Sequence, residues 1–288
     1  MGVLRRPAGP ASAARRGAER AQLAQAAGLL CGRGDRTGVV DRRLAAGVQS
    51  RVWRIVTSGP DGRSDHVVKW FRAGYRAGNS VAAEFAALVA LDRAVADLRP
   101  AAYRVRCPRP VRAWDWGYAM STVSGCRLDL ALARRLLPAE DERLLADDLV
   151  AALSAFHAVH RGPYGDFHAG NVLLGADREV YLIDPGPANP GFFNWPGPVS
   201  PPPLAVDLAY WTFAAAATAH RRPRAAGHAL RLAGALRDAA TELMSDPGLA
   251  AEVDRCLADY WKRLASQGLR QRAVAVAATR LARLRWDG

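Results

Sequence analysis

The stretch Tyr164-Gly165-Asp166-Phe167-His168-Ala169-Gly170-Asn171 lies between a helical pattern over Glu140 to His160 and two short apolar segments, Val172 to Leu174 and Val180 to Ile183. A loop so placed has both ends clamped, and its polar side chains are held at fixed positions, which is where functional groups are commonly found. Asp166 and Asn171 stand five residues apart, and Asp184 closes the second apolar segment. Two carboxylates and an amide are therefore expected to converge on a common point.

That set suits phosphoryl transfer, which needs a carboxylate to orient an acceptor hydroxyl and take its proton, and oxygen ligands to hold magnesium against phosphates. Asp and Asn also populate loops for local hydrogen-bonding reasons alone. What weighs against that simpler account is Lys69. Only two lysines occur in the chain, Lys69 and Lys262, and the first sits within the apolar run Val67-Val68-Lys69-Trp70-Phe71. A buried ammonium is costly without an anionic partner, and a helical segment that follows carries Glu84.

The loop resembles the H-G-D-x-H-x-x-N signature of the aminoglycoside phosphotransferase and choline kinase branch of the protein-kinase-like fold, with Ile183-Asp184-Pro185-Gly186 where that branch has its metal-binding aspartate. The resemblance spans residues 38 to 215. It implies ATP and Mg2+ as cofactors, Asp166 as catalytic base, Asn171 and Asp184 as metal ligands, and His168 as the residue that orients the loop. It also implies that Lys69 binds the α- and β-phosphates with Glu84 holding it, that Gly47 and Ser50 touch phosphate through their backbone, and that Asp207 anchors the loop from the next helix. One position departs from the pattern: Tyr164 stands where the family has His, a residue expected to support the loop without touching phosphate. The expected reaction is transfer of the γ-phosphoryl group to a hydroxyl of a small molecule, such as an antibiotic, sugar, amino alcohol or natural product. The alternatives are an atypical protein kinase of the same fold and a catalytically inactive nucleotide-binding module. His168 and the lack of an Arg before Asp166 favour the small-molecule branch over a protein kinase.

The expected fold is α+β, with a small antiparallel-sheet N-lobe and a larger, mostly helical C-lobe. Residues 1–35 read as a basic N-terminal arm, partly disordered or with a short helix over 18–30; residues 36–125 as the nucleotide-binding lobe; and residues 126–288 as the helical lobe with the loop and acceptor site. Strand patterns cover 39–48, 51–58, 66–71, 109–115 and 117–123, and helical patterns cover 79–98, 128–137 and 140–160. Eight prolines fall within residues 185–203, a stiff segment with Phe192, Phe193 and Trp195 that either packs on the helical lobe or lines the acceptor cleft.

The net charge of +13 would suit nucleic acid, but it is confined to one half of the chain. Residues 1–128 hold 22 Lys and Arg against 9 Asp and Glu, whereas residues 129–288 hold 18 of each. Much of the excess lies in Arg5, Arg6, Arg15, Arg16 and Arg20, read as a solvated arm rather than a nucleic-acid contact. No apolar run reaches the roughly 18 residues of a membrane span, so a cytoplasmic protein with no membrane partner is expected. The four cysteines are scattered without metal spacing, and His157 and His160 read as structural residues at a helix end.

Overall fold

The computed structural model describes residues 10–31, 37–46, 50–59, 62–75, 80–186, 201–218 and 223–266. Two compact units contain them: Met1–Val81 with Val111–Thr122, and Ala82–Pro110 with Val123–Gly288. The fold is α+β, with an antiparallel sheet in the N-terminal part and helices dominating the C-terminal part, as expected from the sequence.

In the first unit, β1 (Thr37–Ala46), β2 (Ser50–Gly59) and β3 (Gly62–Phe71) form a meander, since their β-branched and aromatic residues suit a pleated surface. With β5 (Pro110–Trp114) and β6 (Gly117–Ser121) they make a five-stranded sheet in the order β1-β2-β3-β6-β5. Strand β3 pairs with β2 through Lys69 and Val52, and with β6 through Lys69 and Tyr118. Close approach of β6 to β3 requires Gly117, because a Cβ there would lie 2.3 Å from the Lys69 carbonyl oxygen.

Helix α1 (Pro10–Cys31) covers one face of this sheet and is longer than the expected segment over 18–30. Its Ala-rich sequence favours helix throughout, and Pro10 suits a first helical position. Residues Glu19, Leu23, Ala26, Ala27 and Cys31 recur at three- and four-residue spacing and are all buried. Leu23, Ala26 and Ala27 pack with Ile55, Val68, Trp70, Trp116 and Ala119, joined by Trp53 and Trp114. The side-chain alternation of a strand puts Val68 and Trp70 on this face and Lys69 on the other.

In the second unit, α2 (Ser80–Ala96), of which Ser80 and Val81 cluster with the first unit, leads to β4 (Arg104–Arg106), which pairs in parallel with β9 (Glu179–Leu182). The sheet order is β4-β9-β8-β7, with β8 (Val172–Leu174) and β7 (Cys126–Arg127). Helix α3 (Leu128–Ala133) stops short of the expected end at Leu137, where Arg135 takes a left-handed backbone with φ of 56°. Helix α4 (Ala139–His160) buries Leu145, Leu149, Val150, Leu153 and Phe156, and its buried Asp148 accepts backbone hydrogen bonds from Ala101, Ala102 and Tyr103 at 2.6–2.9 Å. Helices α5 (Pro203–Thr218), α6 (Pro223–Met244) and α7 (Leu249–Ser266) complete the unit. No helix among the described residues is long and apolar enough to cross a membrane.

Candidate active site

Helix α4 ends at Arg161, whose left-handed backbone (φ 62°) turns the chain into the loop that carries Asp166. The loop's start is fixed by Asp207 on α5, which is fully buried. One oxygen of Asp207 accepts from the Tyr164 N–H at 2.7 Å and meets His157 Nε2 at 2.8 Å, and the other accepts from the Gly165 N–H at 2.9 Å. A carboxylate so deeply buried is tolerable only with such donors, and these also pin the backbone just before Asp166.

Tyr164 is buried, and its hydroxyl donates to the carbonyl of Ile183, the residue before Asp184. The Tyr164 hydroxyl thus ties the loop to the end of β9. Burial, followed by the charges of Asp184 and Asp166, holds the Tyr164 phenol well above its ordinary pKa, so it remains a donor. Two further bonds join the segments: Gly186 N–H to the Tyr164 carbonyl at 2.8 Å, and Ile183 N–H to the Asn171 carbonyl at 3.0 Å. Asp184 follows with a left-handed backbone of φ 57°, a conformation disfavoured for a non-glycine residue and concentrated at functional sites. Gly186 has φ of 140°, and a Cβ there would lie 2.5 Å from Glu84 Cγ, so glycine is demanded by both backbone and space.

Asp166 itself is surrounded by donors. Its Oδ1 accepts from the Tyr210 hydroxyl at 2.9 Å and faces His168 Nε2 at 3.5 Å, while Oδ2 accepts from the Asn171 amide at 3.0 Å. Burial acts to raise the Asp166 pKa and is the largest single influence, but the contributions of His168, Tyr210 and Asn171 outweigh it and hold the carboxyl below its ordinary value. His168 Nδ1 accepts the Gly170 N–H at 2.9 Å, so in the neutral ring the proton belongs on Nε2, facing Asp166.

The Asn171 amide nitrogen donates to both the carbonyl oxygen and Oδ2 of Asp166, each at 3.0 Å. Both partners are acceptors, so the amide has one satisfactory orientation, with its own oxygen turned away from them. That oxygen and the Asp184 carboxylate are hard donors of the kind magnesium takes, and two protein ligands suit an ion that keeps waters and binds phosphate oxygens. Among the described residues no cluster of three or more His, Cys, Asp or Glu side chains could hold a metal.

The second unit thus brings together Asp166, His168, Asn171, the Asp184 segment and Asp207, with Glu84, only 5% exposed, beside Gly186. In the first unit, Ser50 is buried at the start of β2, and Lys69, only 7% exposed, places its ammonium 5.4 Å from the Phe71 ring centroid. Gly47 lies outside the described residues, as do residues 1–9 of the N-terminal arm and 187–200 of the proline-rich segment. Sequence reasoning did not single out Tyr210, nor the tie between His157 and Asp207. Tyr210 lies three residues after Asp207, a spacing that places both on one helix face, and this was the available signal.

No protein-family model matches the chain, and no curated protein does. Among solved structures it is similar to the PknI kinase domain of Mycobacterium tuberculosis, at 18% identity over 84% of this chain and 95% of that one, with a TM-score of 0.47. A point mutant of the same domain gives 18% identity, 77% and 95% coverage and a TM-score of 0.47. The Rv3197–erythromycin complex, also from M. tuberculosis, gives 15% identity, 64% and 52% coverage and a TM-score of 0.41.

Proposed function

We propose that this chain is a phosphotransferase of the aminoglycoside phosphotransferase and choline kinase branch, transferring the γ-phosphoryl group of ATP to a hydroxyl of a small molecule. The observation that carries this reading is the Asp166 carboxylate, ionised at neutral pH and aimed by Tyr210, His168 and Asn171 on a loop whose backbone is fixed by Asp207. Asp166 orients the acceptor hydroxyl and receives its proton. The acceptor oxygen bonds to the γ-phosphorus, the bond from that phosphorus to the β–γ bridging oxygen breaks, and ADP leaves. A carboxylate of lowered pKa is a weak base, so orientation is its larger contribution.

Asn171 and Asp184 are the residues to hold magnesium, which when bound neutralises charge on the triphosphate. His168 keeps the Asp166 carboxylate turned, and Asp207 and Tyr164 hold the loop. Lys69, a buried cation in a chain that otherwise relies on arginine, is assigned to the α- and β-phosphates. Glu84, Ser50 and Gly47 remain in the proposed nucleotide-binding set on the family pattern.

The test is an ATP-consumption screen with MgATP over aminoglycosides, macrolides, sugars and amino alcohols, with Asp166→Ala as control. The wild type is expected to consume ATP with at least one alcohol, and the variant to bind MgATP with unchanged affinity while its turnover falls by about a thousandfold or more. A variant that turns over like the wild type would remove Asp166 from the chemistry.

A further inference from the structure

A carboxylate has about four lone-pair positions, two on each oxygen. At Asp166, Oδ1 accepts from the Tyr210 hydroxyl at 2.9 Å and faces the His168 Nε2 proton at 3.5 Å, whereas Oδ2 accepts only from Asn171 at 3.0 Å. Among the described residues Oδ1 is therefore flanked by two donors, the hydroxyl at hydrogen-bond distance and the imidazole at the longer 3.5 Å, and Oδ2 by one. We propose that Tyr210 is a positioning residue: it removes Oδ1 from the reaction and leaves Oδ2 as the atom that receives the acceptor's proton. This rests on the phosphotransferase reading given above.

The placement of Tyr210 supports a positioning role. It is 7% exposed, and its ring is clamped between Phe213 on its own helix and Tyr260 on α7, with centroids 6.2 Å and 5.7 Å away. The His168 ring meets it edge-on at 6.2 Å. Such a ring cannot swing, so its hydroxyl is a fixed point for the carboxylate. The same helix supplies Asp207, three residues earlier, to the Tyr164 and Gly165 N–H groups. Helix α5 thus sets both the backbone entering Asp166 and the rotation of its side chain. Without the Tyr210 donor, the carboxylate gains a second orientation in which Oδ1 competes for the acceptor, and fewer encounters are aligned for transfer.

The experiment is a double-mutant cycle on MgATP turnover, using the accepted alcohol from the screen, or water where no alcohol is accepted. Tyr210→Phe is expected to lower kcat about ten- to a hundredfold with KM for MgATP unchanged and a cooperative melting transition retained, as for a lost hydrogen bond to a charged group. In an Asp166→Asn background, the same substitution is expected to cost nothing further, because Tyr210 acts through that carboxylate. A Tyr210→Phe enzyme with wild-type kcat, or an equal loss in both backgrounds, overturns the inference and leaves the phosphotransferase reading standing. A wild type that consumes no MgATP under any of these conditions overturns both. Should Tyr210→Phe fail to fold, site-specific 4-fluorophenylalanine at 210 keeps the ring and fills the hydroxyl's place while removing the donor; kcat should fall by the same roughly ten- to hundredfold, and a wild-type kcat overturns the inference.

Discussion

At Asp207 a fully buried carboxylate meets two backbone N–H groups and an imidazole, at distances of 2.7, 2.9 and 2.8 Å. Replacing it by Asn keeps the shape but turns an amide N–H toward one of those donors. One or two buried hydrogen bonds would be lost, so Asp207→Asn is expected to destabilise the second unit by about 2–4 kcal/mol, measured by urea denaturation. A loss below the error of the measurement would mean that the loop is held elsewhere. Asp166, His168, Asn171, Asp184 and Asp207 were all legible in the sequence because they cluster in a loop, a strand end and a helix at recognisable spacing. Tyr210 and His157 were not. Each lies in a helix whose aromatic or helix-end residues have an ordinary packing explanation, and only the fold shows that one hydroxyl and one ring nitrogen point at carboxylates.

Among the elements, β2, β3 and α2 could be read to within a few residues, because alternation and helical spacing extend over long stretches there. Strands β4 and β7, three and two residues long, carry too little pattern to be seen, and become strands only through pairing with β9 and β8. Helix α1 was read too short, since its arginines suggested a solvated arm while its buried face supplies most of one side of the first unit's core. Glu19, 3% exposed on that face, accepts from Trp53 Nε1 at 3.1 Å and pairs with Arg51. Glu19→Ala leaves both donors facing an apolar surface, and a loss of about 1–3 kcal/mol is expected. Trp53 lies in the tryptophan cluster beneath α1, so the unfolding midpoint read by tryptophan fluorescence should fall. An unchanged midpoint would mean that α1 is held by its apolar contacts alone.

Across the whole molecule, the cysteines report how completely each unit is packed. Cys31 is buried against the first unit's sheet, and Cys107 and Cys256 are buried in the second, while Cys126 is partly exposed. Burial pushes the Cys256 thiol up to about 11, and burial with the nearby Asp92 pushes Cys107 higher still. A thiol reagent attacks the thiolate, so at pH 8 these two are protected by remaining protonated as well as by packing. Which thiol stays accessible could not be read from the sequence, since a charged residue flanks Cys107 (Arg106), Cys126 (Arg127) and Cys256 (Arg255) alike. A thiol-reactive probe should therefore label one cysteine per native chain, mapped to Cys126 by peptide analysis, and all four in denaturant. Rapid native labelling of Cys31 would show α1 parting from its sheet, and rapid labelling of Cys256 would show α7 leaving the helices that wall in Tyr210, in which case the fixed hydroxyl assigned to Asp166 would lose its support.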